Sequence, residues 1–194
     1  MNNLKTKRII KKWNRRGKPI PPPHVVKQSI IRSYQQKYNA QNLVETGTFR
    51  GEMLIALKDE FKQMYSIELS KELYDNCVEK LTEFKHIHLY QGDSVQQLPK
   101  ILEEISGSIL FWLDSHYSGG NTGMGESETP IFQELEIIFK KPDRHIILID
   151  DARCFGNPDH PEYPTLDQVK VFVEKQSIKF QLTVEDDIIR ILPI

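Results

Sequence analysis

Glu45 opens the run Glu45-Thr46-Gly47-Thr48-Phe49-Arg50-Gly51, in which a carboxylate is followed by two glycines, Gly47 and Gly51. An apolar lead-in, Leu43-Val44, precedes it, and Met53, Leu54, Ala56 and Leu57 follow at helical spacing. That is the order of a buried strand, a tight turn and the start of a helix. Only a residue without Cβ lets a ligand lie against the main chain or takes positive φ cheaply. A carboxylate beside such a turn can hold an ammonium group, directly or through water, and would repel a pyrophosphate. Taken alone, the stretch reads first as an ordinary strand–helix connection. The carboxylates further along change that reading.

Four later apolar runs also lead into acids: Met64 to Glu68, Ile87 to Tyr90 before Gly92-Asp93-Ser94, Ile109 to Asp114, and Ile146 to Asp150-Asp151. In an open parallel sheet, ligands bind beyond the carboxyl ends of the strands, so these acids converge on one edge. Glu68, about two dozen residues past the glycine turn, can accept both ribose hydroxyls of an adenosine-containing ligand. Asp93 can accept an exocyclic amino hydrogen of adenine. Asp114, Asp150 and Asp151 can give a hard divalent cation three carboxylate oxygens and leave positions for water and substrate. The competing reading of Asp150-Asp151 is a helix cap with a salt bridge to Arg153. His116, two residues past Asp114, is the candidate general base, since neutral imidazole suits proton abstraction near pH 7; a loop histidine with a structural hydrogen bond is the alternative. His86, His88, His145 and His160 read as structural or surface residues. Tyr117 to Thr122 reads as a substrate-facing loop, with Gly123 and Gly125 allowing movement.

Phe49 stands where a dinucleotide fingerprint needs its middle glycine, and no Gly-Lys-Ser/Thr is present. A zwitterionic sulfonium such as S-adenosylmethionine (SAM) therefore suits these residues better than NAD or ATP.

These acids need a scaffold that brings five strand ends to one edge. Strands are expected at about 42–46, 64–68, 87–90, 109–114 and 146–150, alternating with helices built on Leu54, Leu81, Leu98 and Leu135. A helix carrying Leu166 and Val169 follows. Two closing strands, about 178–184 and 188–192, are joined at Glu185-Asp186-Asp187, too short a link for anything but an antiparallel hairpin. The expectation is a three-layer α/β sandwich around a mostly parallel seven-stranded sheet. Ahead of it, His24 to Tyr38 reads as a helix with Val25, Val26, Ile30 and Tyr34 on its inner face and Lys27, Gln28 and Arg32 opposite.

The 194 residues fit one domain, 39% hydrophobic and 27% charged, with no apolar run of membrane-spanning length. Cys77 and Cys154 lack metal or redox spacing and suit a reducing compartment, so a cytoplasmic location is expected. The net charge of −1 conceals an asymmetry: residues 1–18 carry eight Lys or Arg and no acid. Residues 1–23 therefore read as a basic arm ending in a stiff Pro-rich joint, and 24–194 as the domain. The arm either meets an anionic partner, nucleic acid or lipid, or covers its own domain or a homodimer partner.

Glu45-x-Gly47-x-x-x-Gly51, Ile67-Glu68, Gly92-Asp93-Ser94 and the acidic strand ends together resemble the class I SAM-dependent methyltransferases, over roughly residues 24–194. The resemblance implies a Rossmann-like sheet, with Glu45, Thr46, Gly47 and Gly51 holding the methionine part, Glu68 the ribose, and Asp93 with Ser94 the adenine. Asp114, Asp150 and Asp151 are similar to the Mg²⁺ site of the catechol-type and macrocin-type O-methyltransferases. There the ion binds neighbouring acceptor oxygens and lowers a hydroxyl pKa; Asp114 and His116 would then be the catalytic pair. The chain has Asp150-Asp151 where catechol-type enzymes have Asp-Asn. It lacks the Asn/Asp-Pro-Pro-Tyr of base-modifying relatives. The resemblance thus implies O-methylation of a small molecule such as a sugar or other vicinal-oxygen acceptor. A SAM-binding module without turnover and a nucleic-acid-directed protein are the alternatives.

Overall fold

β4 (Ile109–Leu113) is buried at every position, as Ile-Leu-Phe-Trp-Leu must be when helices cover both faces of a sheet. Its residues alternate: Ile109, Phe111 and Leu113 join one apolar cluster, Leu110 and Trp112 the other. The computed structural model describes residues 3–114, 129–141 and 145–194. The other strands are β1 (Asn42–Thr46), β2 (Gln63–Glu68), β3 (Ile87–Gln91), β5 (Ile146–Ile149), β6 (Phe180–Glu185) and β7 (Ile188–Pro193). They form one seven-stranded sheet in the order β3-β2-β1-β4-β5-β7-β6. β1 to β5 run parallel, and β7 lies antiparallel to both β5 and β6.

The helices are α1 (Asn3–Arg15), α2 (His24–Tyr38), α3 (Glu52–Leu57), α4 (Lys71–Leu81), α5 (Ser94–Glu104), α6 (Ile131–Lys140) and α7 (Leu166–Glu174). Ile31 of α2, Leu54 and Leu57 of α3 and Cys77 of α4 pack on the Trp112 face. Leu98 and Ile101 of α5, Leu135 of α6 and Val169 of α7 pack on the Phe111 face. This is the expected three-layer sandwich. Ser70 caps α4 by accepting from the Leu73 amide, as its position before the helix predicts.

One feature departs from the sequence reading, and one open choice is decided. The buried residues of α2 are Val25, Val26, Gln28 and Ile31, and Lys27, expected on the opposite face with Gln28, also turns inward. The apolar row of Val25, Val26, Ile30 and Tyr34 faces inward as read; Lys27 and Gln28 join it because the first turn of α2 lies over the sheet edge, where the neighbours are acids. The basic segment packs on its own chain: α1 lies against α2, and Trp13 is buried and donates its indole N–H to the Pro19 carbonyl at 2.8 Å. Lys18 then pairs with Asp186 at the hairpin tip, 2.9 Å away. The segment covers its own chain, the second of the two options its composition leaves open.

Candidate active site

β1 and β4 are neighbours, yet the chain proceeds from them to opposite ends of the sheet. Their carboxyl ends therefore part, and the crevice between is where an α/β sheet receives a ligand. The glycine run fills one side. Gly47 has φ 90°, Phe49 φ 49° and Gly51 φ 71°. This folds the main chain into a tight loop that a non-glycine would strain at most of those positions. A Cβ on Gly51 would also stand 3.3 Å from Leu81 Cδ1, so the turn is packed closely on α4.

Glu68, at the end of β2, holds that loop. Its Oε2 accepts from the Phe49 amide at 2.8 Å and its Oε1 from the Ser70 amide at 2.9 Å. Glu45 lies deeper. Ser66 Oγ donates to its Oε2 at 2.6 Å, and Thr48 Oγ1 lies 2.7 Å from Ser66 Oγ. Burial pushes the Glu45 carboxyl up to about 8, Asp114 and Glu68 add to the rise, and the Ser66 hydrogen bond opposes it. A carboxyl held this way is stabilised by any cation brought beside it. Thr46 Oγ1 is buried and has no hydrogen-bond partner among the described residues. Asp93 caps α5, accepting from the Val95 amide at 2.8 Å, and Ser94 is buried behind it.

The other side of the crevice is acidic. Asp114 follows β4 and Asp150-Asp151 follow β5, and each offers a carboxylate oxygen within 4.8 Å of the others. The Asp151 amide donates to Asp150 Oδ1 at 2.8 Å. Lys27 enters from α2, with its ammonium in contact with Asp150 Oδ2 and 3.5 Å from Asp151 Oδ1. Burial, then the charges of Asp114 and Asp151, push the Asp150 carboxyl up, and Lys27 pulls against them. Burial disfavours charge on Lys27, but Asp150, Asp114 and Asp151 outweigh it and hold the ammonium above its ordinary value. Arg153 Nη1 stands 2.6 Å from Asp151 Oδ1 and also contacts Asp187. The salt bridge to Arg153 is thus present, while Asp151 makes no side-chain cap to the 3₁₀ turn Ala152–Cys154. By donor type and convergence the three carboxylates fit a hard divalent ion. Lys27 stands at the same place.

No protein-family model matches the chain, and neither does any curated protein. Solved structures do. The tomaymycin-synthesis O-methyltransferase from Streptomyces achromogenes, in complex with SAM, is 13% identical, with TM-score 0.63 over 100% of this chain and 91% of that one. An S-adenosylhomocysteine (SAH)-bound methyltransferase from Podospora anserina is also 13% identical, with TM-score 0.64 over 100% and 97%. The O-methyltransferase from Bacillus cereus, in complex with SAH, is 12% identical, with TM-score 0.60 over 99% and 92%. The chain has the class I methyltransferase fold.

Within that methyltransferase fold, Glu45, Thr46, Gly47, Gly51 and Glu68 gather at one side of the crevice and Asp114, Asp150 and Asp151 at the other. Asp93 and Ser94 sit beyond β3 at the start of α5. His116 and the loop from Tyr117 to Gly125 lie outside the described residues. His86 and His88 bond within the scaffold, to the Lys58 carbonyl and the Gln63 side chain, both at 2.7 Å. Sequence reasoning missed the first turns of α2. His24 Nδ1 lies 2.9 Å from Gln28 Nε2, and its ring faces the charges of Glu52, Lys27 and Asp114. The available signal was the break at Pro21-Pro22-Pro23, which starts α2 at a defined point, followed by one lysine directly after two valines.

Proposed function

We propose that this protein transfers the methyl group of SAM to an oxygen of a small-molecule acceptor, a sugar or another compound with vicinal oxygens. The observation that carries the reading is the crevice itself. A positive-φ glycine loop tied to a buried carboxylate faces a cluster of three carboxylates across the β1–β4 switch point. Glu45, Thr46, Gly47 and Gly51 bind the methionine part; Glu68 orients the ribose; Asp93 and Ser94 border the adenine, with Asp114 closing the cofactor side. Asp114, Asp150 and Asp151 would hold Mg²⁺. When bound, SAM supplies an electrophilic methyl on a sulfonium, and Mg²⁺ supplies a Lewis acid that lowers the acceptor hydroxyl pKa. With SAM bound, His116 would take the proton of the acceptor hydroxyl, the methyl passing to that oxygen and the sulfur departing as a neutral thioether. The acidic wall opposite the glycine loop fixes the side from which the acceptor approaches.

Calorimetry with SAM, SAH and NAD tests the cofactor: the two sulfur compounds are expected to bind and NAD is not. Failure of both sulfur compounds to bind would sink the reading. An Asp150→Ala/Asp151→Ala protein is expected to lose any response of activity or Tm to Mg²⁺ and EDTA. An unchanged response removes the metal from the proposal and leaves methyl transfer standing.

An anionic partner for residues 1–18 is proposed on a separate observation. With Trp13 turned inward, Lys5, Lys7, Arg8, Lys11, Lys12, Arg15 and Arg16 all remain exposed on or just past α1. Deleting residues 1–18 is expected to abolish retention on heparin and on anionic vesicles at low salt. Retention by the shortened chain would clear the segment of this role.

A further inference from the structure

Lys27 leaves the helical face that its neighbours predict and buries its ammonium among acids. Only 13% of its side chain is exposed, and its partners lie 123 residues away in sequence. Its Nζ touches Asp150 and lies 3.5 Å from Asp151, while the oxygens of Asp114, Asp150 and Asp151 are within 4.8 Å of one another. A cation bound by those three carboxylates would meet this ammonium on Asp150 and Asp151, in one small space. Two positive groups cannot share it, because at such separations in a poorly solvated site their repulsion is large. Arg153 is a second cation beside the cluster, and it is fixed differently. Its guanidinium bridges Asp151 and Asp187, and its amide donates to Asp187 Oδ1 at 2.8 Å. Lys27 meets Asp150 and Asp151 through its ammonium at the end of a flexible four-carbon stem. Val25 and Val26 keep the first turn of α2 buried whatever the lysine does.

We infer that Lys27 is a tethered competitor for the divalent ion. Its ammonium occupies the cation place of the Asp114–Asp150–Asp151 cluster, and an ion enters only as Lys27 swings out. The inference rests on the metal reading above and adds its regulation. The acids are never left facing one another bare, and the ion concentration needed to load the site is raised by the lysine that guards it. Loading also frees an ammonium at the mouth of the crevice, beside the acceptor side.

The test is Mn²⁺ binding to the full chain, followed by calorimetry and by Tm, in the natural protein and in Lys27→Met and Lys27→Arg variants. Lys27→Met keeps the stem and removes the charge, so it is expected to bind Mn²⁺ at least about tenfold more tightly. Its Tm is expected to rise more on adding the ion. Lys27→Arg retains a charge and is expected to bind no more tightly than the natural protein. Equal, measurable affinity in Lys27→Met and the natural protein overturns the inference while the metal reading stands. Binding by Lys27→Met alone supports the inference and removes the metal from the natural protein's function. Binding by neither overturns both. Should Lys27→Met unfold without ion, Mn²⁺ is expected to restore cooperative unfolding, and failure to do so counts against Lys27 as the cation of this place.

Discussion

Replacing Glu68 by Ala is expected to weaken SAM binding by at least about 100-fold and to lower folding stability by about 2–4 kcal/mol. The two effects have separate origins. Both carboxylate oxygens accept main-chain N–H bonds, from Phe49 at 2.8 Å and Ser70 at 2.9 Å, and the residue is 5% exposed. An alanine strands two donors in a site that water reaches poorly, and each such loss is about 1–3 kcal/mol. The stability effect therefore follows from geometry alone. The binding effect follows from the proposed role: hydrogen bonds from ribose hydroxyls to a charged acceptor are among the stronger ones, at about 1.5–3 kcal/mol each. The Phe49 tether also holds the glycine loop in its positive-φ form, so its loss disorders the neighbouring wall. Calorimetry and thermal unfolding on the same preparation read the two effects apart. A destabilised variant with unchanged SAM affinity would leave Glu68 as a loop clasp and remove it from the cofactor site.

Glu45 makes cofactor affinity depend on pH. The carboxyl is raised from its ordinary 4.5 to about 8 in the folded protein, first by burial and then by Asp114 and Glu68. An ammonium group brought against it favours the ionised form, so binding SAM below pH 8 releases about one proton. Affinity is expected to rise about tenfold between pH 6 and pH 7 and to level off near pH 8, where the ligand's own amine begins to lose its proton. Calorimetry in buffers of different ionisation enthalpy measures the released proton. Without cofactor the trend reverses. The folded chain holds a proton on Glu45 that the unfolded chain releases above pH 4.5, so this residue's contribution to stability declines as pH climbs from there to about 8. Glu45→Gln is expected to flatten both trends. Affinity that is flat from pH 6 to 7, with no buffer-dependent heat, would show that Glu45 does not meet the cofactor's charge.

Much of this molecule follows from local pattern. Ile109 to Leu113 is apolar throughout because both faces of a central parallel strand are covered. Ser70 before Lys71 and Thr165 before Leu166 cap their helices through bonds that span three residues. Glycines at positions 47 and 51 mark the turn because its φ values there are 90° and 71°. The strand-end acids likewise meet at one edge once the strands are known to be parallel. Such features depend on periods of 2 and 3.6 and on caps, which a linear chain displays in order.

What the tertiary structure alone decided lies where distant segments meet. Lys27 and Gln28 follow Val25 and Val26 on what reads as the polar side of an amphipathic helix, yet both turn inward. The crossing of α2 over the carboxyl edge of β4 and β5 puts them there. Trp13 and Lys18 belong to a basic segment whose composition left open an anionic partner or cover for its own domain; packing on α2 and the carboxylate of Asp186 decided for cover. The sequence by itself determined the sheet, the glycine loop and the acidic edge. The burial of Lys27 between Asp150 and Asp151 was decided by packing, because a charge pair 123 residues apart leaves no periodic trace and forms only where the desolvation of each partner is offset by the other.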